Sequence, residues 1–237
     1  MPLSAILFDK DGTLFDFDRT WAEVAEQSFA AITPDRGLQD RLAALGGFDR
    51  QTQSFATGAP MVAGTLNDIA TLWQPHVPNH SVEGIERILD EVAIAASLNG
   101  ALVPAVDDFP GFLTTLRAEG YRLGIATHDS YESAVTQIEA VGATSAFDFI
   151  AGYNSGHGMK PGPGMLLAFA EAVSVPPSEV VMVGDSVGDL KMVGNAGGGL
   201  AIGVLSGPAR SEDLAPHADH VVTTIAELPS LLRGLSG

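Results

Sequence analysis

Two carboxylates one residue apart, Asp9 and Asp11, end the apolar run in AILFDKDGTL (residues 5–14) and are followed at once by Gly12 and Thr13. A run this short and apolar reads as a strand buried on both faces, and its polar end marks where the sheet opens. Ligands of open α/β sheets gather at that edge. Alternation along a strand puts Asp9 and Asp11 on one side and Lys10 on the other. So placed, two carboxylates can hold a hard cation or divide nucleophile and acid/base roles. An acidic turn that merely closes a strand is the plainer alternative.

A second acidic pair lies in GDSVGDLKM (184–192). Asp185 ends another apolar run, and Asp189 falls four residues on, in the first turn of a helix, where free amides favour a carboxylate. The spacing puts both on one side, facing Asp9 if the two strands are neighbours. Thr127 ends the run YRLGIAT (121–127), a position from which a hydroxyl can donate to a phosphoryl oxygen, although Thr also simply favours strands. His128 follows it. Lys160 stands in the Gly- and Pro-rich loop GHGMKPGPGM, and only Lys10 and Lys191 are further lysines.

The elements that must position these groups change character along the chain. After Leu14, apolar residues at three and four spacing predict helices over 17–32, 35–45, 61–73 and 81–97, with loops over 46–60 and 74–80 where Gly, Pro, Asn and other polar residues gather. No strand is expected between Phe15 and about Leu102. From Asp107 on, strands over 121–127, 147–151, 180–183, 200–204 and 220–222 alternate with helices over 108–119, 130–141, 164–173, 186–196 and 225–233. That alternation predicts an α/β protein with a doubly wound parallel sheet and an inserted all-helical segment. The expected division is 1–15 and 104–237 for the α/β core and 16–103 for the insert.

Composition narrows the partners. With 29 acidic against 12 basic residues the net charge is −17, which disfavours nucleic acid and anionic membranes. The absence of cysteine excludes disulfides, thiolate metal sites and cysteine nucleophiles. Charged residues at 9–11 interrupt any signal-peptide core, and the apolar stretch over 92–106 is broken by Ser97, Asn99, Gly100 and Pro104, so a soluble cytoplasmic protein is expected. Its oligomeric state, monomer or homodimer, is not legible.

DKDGTL behind a strand, Thr127, Lys160 before Pro161, and GDSVGD occur in the order of the four motifs of the haloacid dehalogenase-like superfamily, which the chain resembles along its whole length. It is most similar to the phosphoglycolate phosphatases and their relatives, with the helical insert placed as their C1 cap. The resemblance implies a phosphoric monoester hydrolase. Asp9 becomes the nucleophile that is phosphorylated, Asp11 the general acid/base, and Thr127, His128 and Lys160 the phosphate-binding groups. It also implies Mg²⁺ held by Asp9, Asp11 through its backbone carbonyl and Asp185, with Asp189 as a further ligand or as a partner of the groups that bind the ion. The substrate would be a small phosphorylated metabolite, phosphoglycolate-like or a sugar phosphate. His128 departs from the pattern, which usually has Asn there; an imidazole replaces the amide donor or brings pH dependence near neutrality. Asp11 argues against the family's dehalogenases, which lack this carboxylate, and against its ion pumps, which have Thr. Phosphomutases of the β-phosphoglucomutase type keep Asp11 and stand as the alternative. A non-enzymatic phosphoacceptor or binding protein fits less well, because no catalytic position is lost and a receiver has no use for the insert. In the cap, Arg50 in the loop GGFDRQTQSFATG (46–58) is the candidate contact for the leaving group.

Overall fold

The computed structural model describes residues 3–235. Its first strand, β1 (Ala5–Phe8), is wholly buried and leads through Asp9–Phe15 into a run of helices: α1 (Phe17–Ile32), α2 (Arg36–Gly46), α3 (Pro60–Ala63), α4 (Leu66–Trp73) and α5 (Val82–Leu98). Between α2 and α3 lies an antiparallel hairpin, β2 (Phe48–Asp49) with β3 (Ser54–Phe55). The remaining elements alternate: α6 (Phe109–Ala118), β4 (Arg122–Ala126), α7 (Tyr131–Ala140), β5 (Phe149–Ala151), α8 (Gly164–Ala172), β6 (Val180–Gly184), α9 (Val187–Ala196), β7 (Leu200–Val204), α10 (Ser211–Leu214), β8 (His220–Val222) and α11 (Leu228–Leu235). Among the described residues no helix is long and apolar enough to cross a membrane.

The six longer-range strands form one parallel sheet in the order β5-β4-β1-β6-β7-β8. The alternation of β1 divides its side chains between two cores. Ile6 and Phe8 pack with Phe112, Leu113 and Leu116 of α6 and Leu232 of α11, whereas Ala5 and Leu7 pack with Met165, Leu166 and Phe169 of α8 and Leu190 and Val193 of α9. Helices on both faces make the sheet doubly wound, so strand β1 has no wet side. The helical cap has a core of its own built on Phe17, Phe29, Phe48, Phe55 and Trp73, whose rings meet at centroid separations of 4.7–6.0 Å.

The two crossings between sheet and cap are bonded to each other. The Asp16 amide donates to the Val103 carbonyl at 2.9 Å, and the Ala105 amide to the Leu14 carbonyl at 2.9 Å. Two differences from the sequence reading have local causes. The expected helix over 61–73 is two helices, because Thr65 caps α4: its hydroxyl accepts from the Asp68 amide and the Asp68 carboxylate accepts from the Thr65 amide, ending α3 one turn earlier. The expected loop over 46–60 holds the β2–β3 hairpin, seated where Phe48 and Phe55 enter the cap core.

Candidate active site

The middle strands β4, β1 and β6 run side by side, Phe8 pairing with Ile125 on one side and Val183 on the other, and β4 and β6 continue one residue beyond β1. Their next residues therefore converge: Asp9 after β1, Thr127 one residue past β4, Asp185 after β6. The chain then turns away at Gly12, whose φ of +85° suits glycine, and a Cβ there would lie 2.3 Å from Asp185 Oδ2. Gly207, from the loop after β7, faces the same carboxylate more closely still, at 1.8 Å for a Cβ built there.

Lys160 reaches into this group from the loop before α8. Its Nζ lies 2.6 Å from Asp9 Oδ1 and 2.6 Å from Asp189 Oδ1, and donates to the Ala126 carbonyl at 3.2 Å. Asp189 is buried and also completes the cap of α9: its Oδ2 accepts from the Ser186 amide at 3.1 Å and from the Ser186 hydroxyl at 2.5 Å. Thr127 is buried, and its Oγ1 accepts from the Asp129 amide at 3.1 Å, leaving the hydroxyl hydrogen to donate elsewhere. His128 turns to the cap, with Nδ1 3.2 Å from the Ala63 carbonyl of α3. Burial, and then the Lys160 charge, hold that imidazole below its ordinary pKa, so it is neutral at pH 7.

Asp11 sits apart from Asp9 in different company. Its Oδ2 is 2.5 Å from Lys10 Nζ, and its Oδ1 accepts from the indole N–H of Trp21, on α1 of the cap, at 2.8 Å. Lys10 is fully buried, reaches Asp129 at 3.0 Å, and lies over the rings of Phe15 and Trp21 at 5.9 and 5.4 Å. Sequence reading missed Lys10, Trp21 and Asp129. The scarcity of lysine was the one available signal for the first. Arg50 lies elsewhere: Nη1 bonds Asp40 at 2.5 Å, Nε bonds Glu26 at 2.8 Å, and the guanidinium packs over Phe29. Two carboxylates and a ring occupy it within the cap, and it does not line the cleft.

The electrostatics are those of a site short of positive charge. Burial raises the Asp9 pKa to about 7; Lys160 works against this, and Asp189 and Asp11 add to it. Asp185 is pushed well above the ordinary carboxylate range by burial, Asp9 and Asp189. Burial opposes the charge on Lys160, but Asp189 and Asp9 outweigh it and raise its pKa. One ammonium thus serves three carboxylates, and Asp9, Asp185 and Asp189 each present an oxygen within 4.8 Å of the others. A buried, all-oxygen donor set with uncompensated charge fits a hard divalent cation such as Mg²⁺.

The comparisons with known proteins agree with this architecture. Residues 3–197 match the family model of haloacid dehalogenase-like hydrolases. The probable phosphatase IndB of Dickeya dadantii is 35% identical over 131 residues, which span 54% of this chain and 56% of that protein. The phosphoglycolate phosphatase of Escherichia coli O157:H7 is 27% identical over 203 residues, 82% of this chain and 79% of that one. The crystal structure of a predicted phosphoglycolate phosphatase from Haemophilus somnus 129PT superimposes with a TM-score of 0.73 at 16% identity, covering 97% of each chain, a likeness of fold. With strand-end carboxylates, a buried lysine and an inserted helical cap on a six-stranded parallel sheet, and with 3–197 matched to one family model, the chain belongs to the haloacid dehalogenase-like hydrolases.

Proposed function

We propose that the protein is a Mg²⁺-dependent phosphatase that hydrolyses a phosphomonoester through a phosphorylated Asp9, with residues 1–15 and 104–237 as the catalytic core and 16–103 as the cap that closes on it. The observation that carries this reading is the separation of the two motif carboxylates: Asp9 is held by Lys160, Asp11 by Lys10 and Trp21. Neighbouring carboxylates with different partners are what a nucleophile and an acid/base require.

Asp9, Asp185 and Asp189, with the Asp11 backbone carbonyl that the resemblance implies, would hold Mg²⁺, which when bound supplies positive charge beside the phosphoryl oxygens. Lys160 and the Thr127 hydroxyl hold those oxygens, with His128 bordering them, and position the phosphorus in line with Asp9. An Asp9 carboxylate oxygen forms a bond to phosphorus while the bond to the leaving oxygen breaks, and Asp11 gives that oxygen its proton. Asp11, now a carboxylate, takes a proton from a water whose oxygen attacks the phosphorus. The Asp9–phosphorus bond breaks, inorganic phosphate leaves, and both aspartates are restored. The cap keeps bulk water out meanwhile. Phosphate release from a panel of phosphomonoesters, measured with Mg²⁺ and with EDTA, tests the reading. Release should fall at least a hundredfold in EDTA and return with Mg²⁺; release indifferent to EDTA would contradict it.

Lys10 enters the mechanism as a positioning residue. Burial holds the Asp11 pKa above its ordinary value, and the Lys10 charge is the largest influence pulling it down. Lys10→Met removes that pull, so the Asp11 pKa rises further. Since Asp11 must carry a proton to serve the leaving group, the alkaline limb of kcat/KM should move to higher pH. An alkaline limb left in place would remove Lys10 from the mechanism.

A further inference from the structure

The cavity between cap and sheet edge has a volume of about 420 Å³, within the range of sites that enclose a drug-sized ligand. Its two ends differ in kind. The sheet end carries Lys160 and the carboxylates already described, and apart from Lys160 every charged group lining the cavity is acidic. The cap end is walled by Val24, Ala25, Phe55, Val62, Ile69 and Leu89 and carries no charged side chain among the described residues.

The few polar groups on that wall are already engaged. Ser28 donates its hydroxyl to the Val24 carbonyl at 2.8 Å, Thr57 donates to the Pro208 carbonyl at 2.5 Å, and the Trp21 indole is committed to Asp11. No cap arginine offers a substitute. Arg19, Arg36 and Arg41 are exposed and do not line the cavity, Arg50 is held by Glu26 and Asp40, and Arg87 stands 4.0 Å from Glu91 on the outer face of α5. An anionic leaving group would thus lose its water, meet no cation and face carboxylates.

We infer, resting on the phosphatase reading above, that the substrate is the phosphomonoester of an uncharged, predominantly apolar alcohol, and that esters with a second anionic group, phosphoglycolate included, are poor substrates. The phosphoryl group occupies the polar end, and the organic part of the leaving group lies along the apolar wall. Each methylene buried there adds a nearly constant increment of binding.

The test is kcat/KM for the wild-type protein with Mg²⁺ on ethyl, butyl and hexyl phosphate, phenyl phosphate, glycerol 3-phosphate and phosphoglycolate. The inference predicts a rise of about fourfold per methylene along the alkyl series. It also predicts phosphoglycolate at least tenfold below butyl phosphate. Val62→Arg, which brings a cation to the wall, should narrow the gap between those two esters. Phosphate release from the polar esters with a flat or falling alkyl series would overturn this inference and leave the phosphatase reading standing. Absence of release from every ester would overturn both.

Discussion

Asp9→Asn should abolish phosphate release, by at least about 10⁴-fold, while leaving the fold intact. The amide keeps the size of the carboxyl and its place beside Lys160, so the loss falls on bond formation to phosphorus. Stability should move the other way. The native state holds the Asp9 proton up to about pH 7, whereas an unfolded aspartate gives it up near 3.8. Between those values the native chain binds the extra proton, so the wild type loses stability relative to the neutral variant as pH rises through the interval. In EDTA at pH 8 the variant should melt at a higher temperature than the wild type, and near pH 4 the two should converge. A variant that melts lower at pH 8 would show that the Asp9–Lys160 pair stabilises more than burial costs.

Lys160→Met should damage both activity and stability. The side chain is 4% exposed and lies 2.6 Å from each of two carboxylates, so its removal leaves buried negative charge with no cationic partner. Breaking a buried ion pair from one side costs about 3–5 kcal/mol. Withdrawing a placed donor from a phosphoryl group costs about 10²–10³ in kcat. Because Asp9, Asp185 and Asp189 would remain, Mg²⁺ should restore a larger share of melting temperature in the variant than in the wild type, without restoring kcat. Wild-type activity in the variant would remove Lys160 from the proposed chemistry.

Much of this site is legible in the sequence because it depends on strand ends. An apolar run too short for a helix, closed by polar residues, fixes where a buried strand stops, and three such runs bring Asp9, Thr127 and Asp185 to one edge once the sheet is parallel. Helix α1 was equally plain, since its apolar period runs unbroken from Phe17 to Ile32 and Asp16 caps it. What escaped depends on contacts between distant segments. Strand alternation sends Lys10 away from Asp11, but β1 stops at Phe8 and the chain curls at Gly12, which brings Lys10 Nζ back to Asp11 and on to Asp129. Trp21 reaches Asp11 only because α1 folds over the sheet edge. Arg50 read as a free cation in a polar loop because its partners, Glu26 and Asp40, are 24 and 10 residues away. The β2–β3 hairpin, two residues per strand, carries no periodicity to read.

The most direct test of the account is to quench the wild-type protein in acid during steady-state turnover of a phosphomonoester, reduce it with borohydride, and locate the modified residue by peptide mass spectrometry. An aspartyl phosphate is reduced to homoserine, so conversion of Asp9 alone, dependent on substrate and missing from Asp9→Asn, is the predicted result. Turnover with Asp9 unmodified, or conversion at another aspartate, would contradict the assignment of Asp9 as the nucleophile.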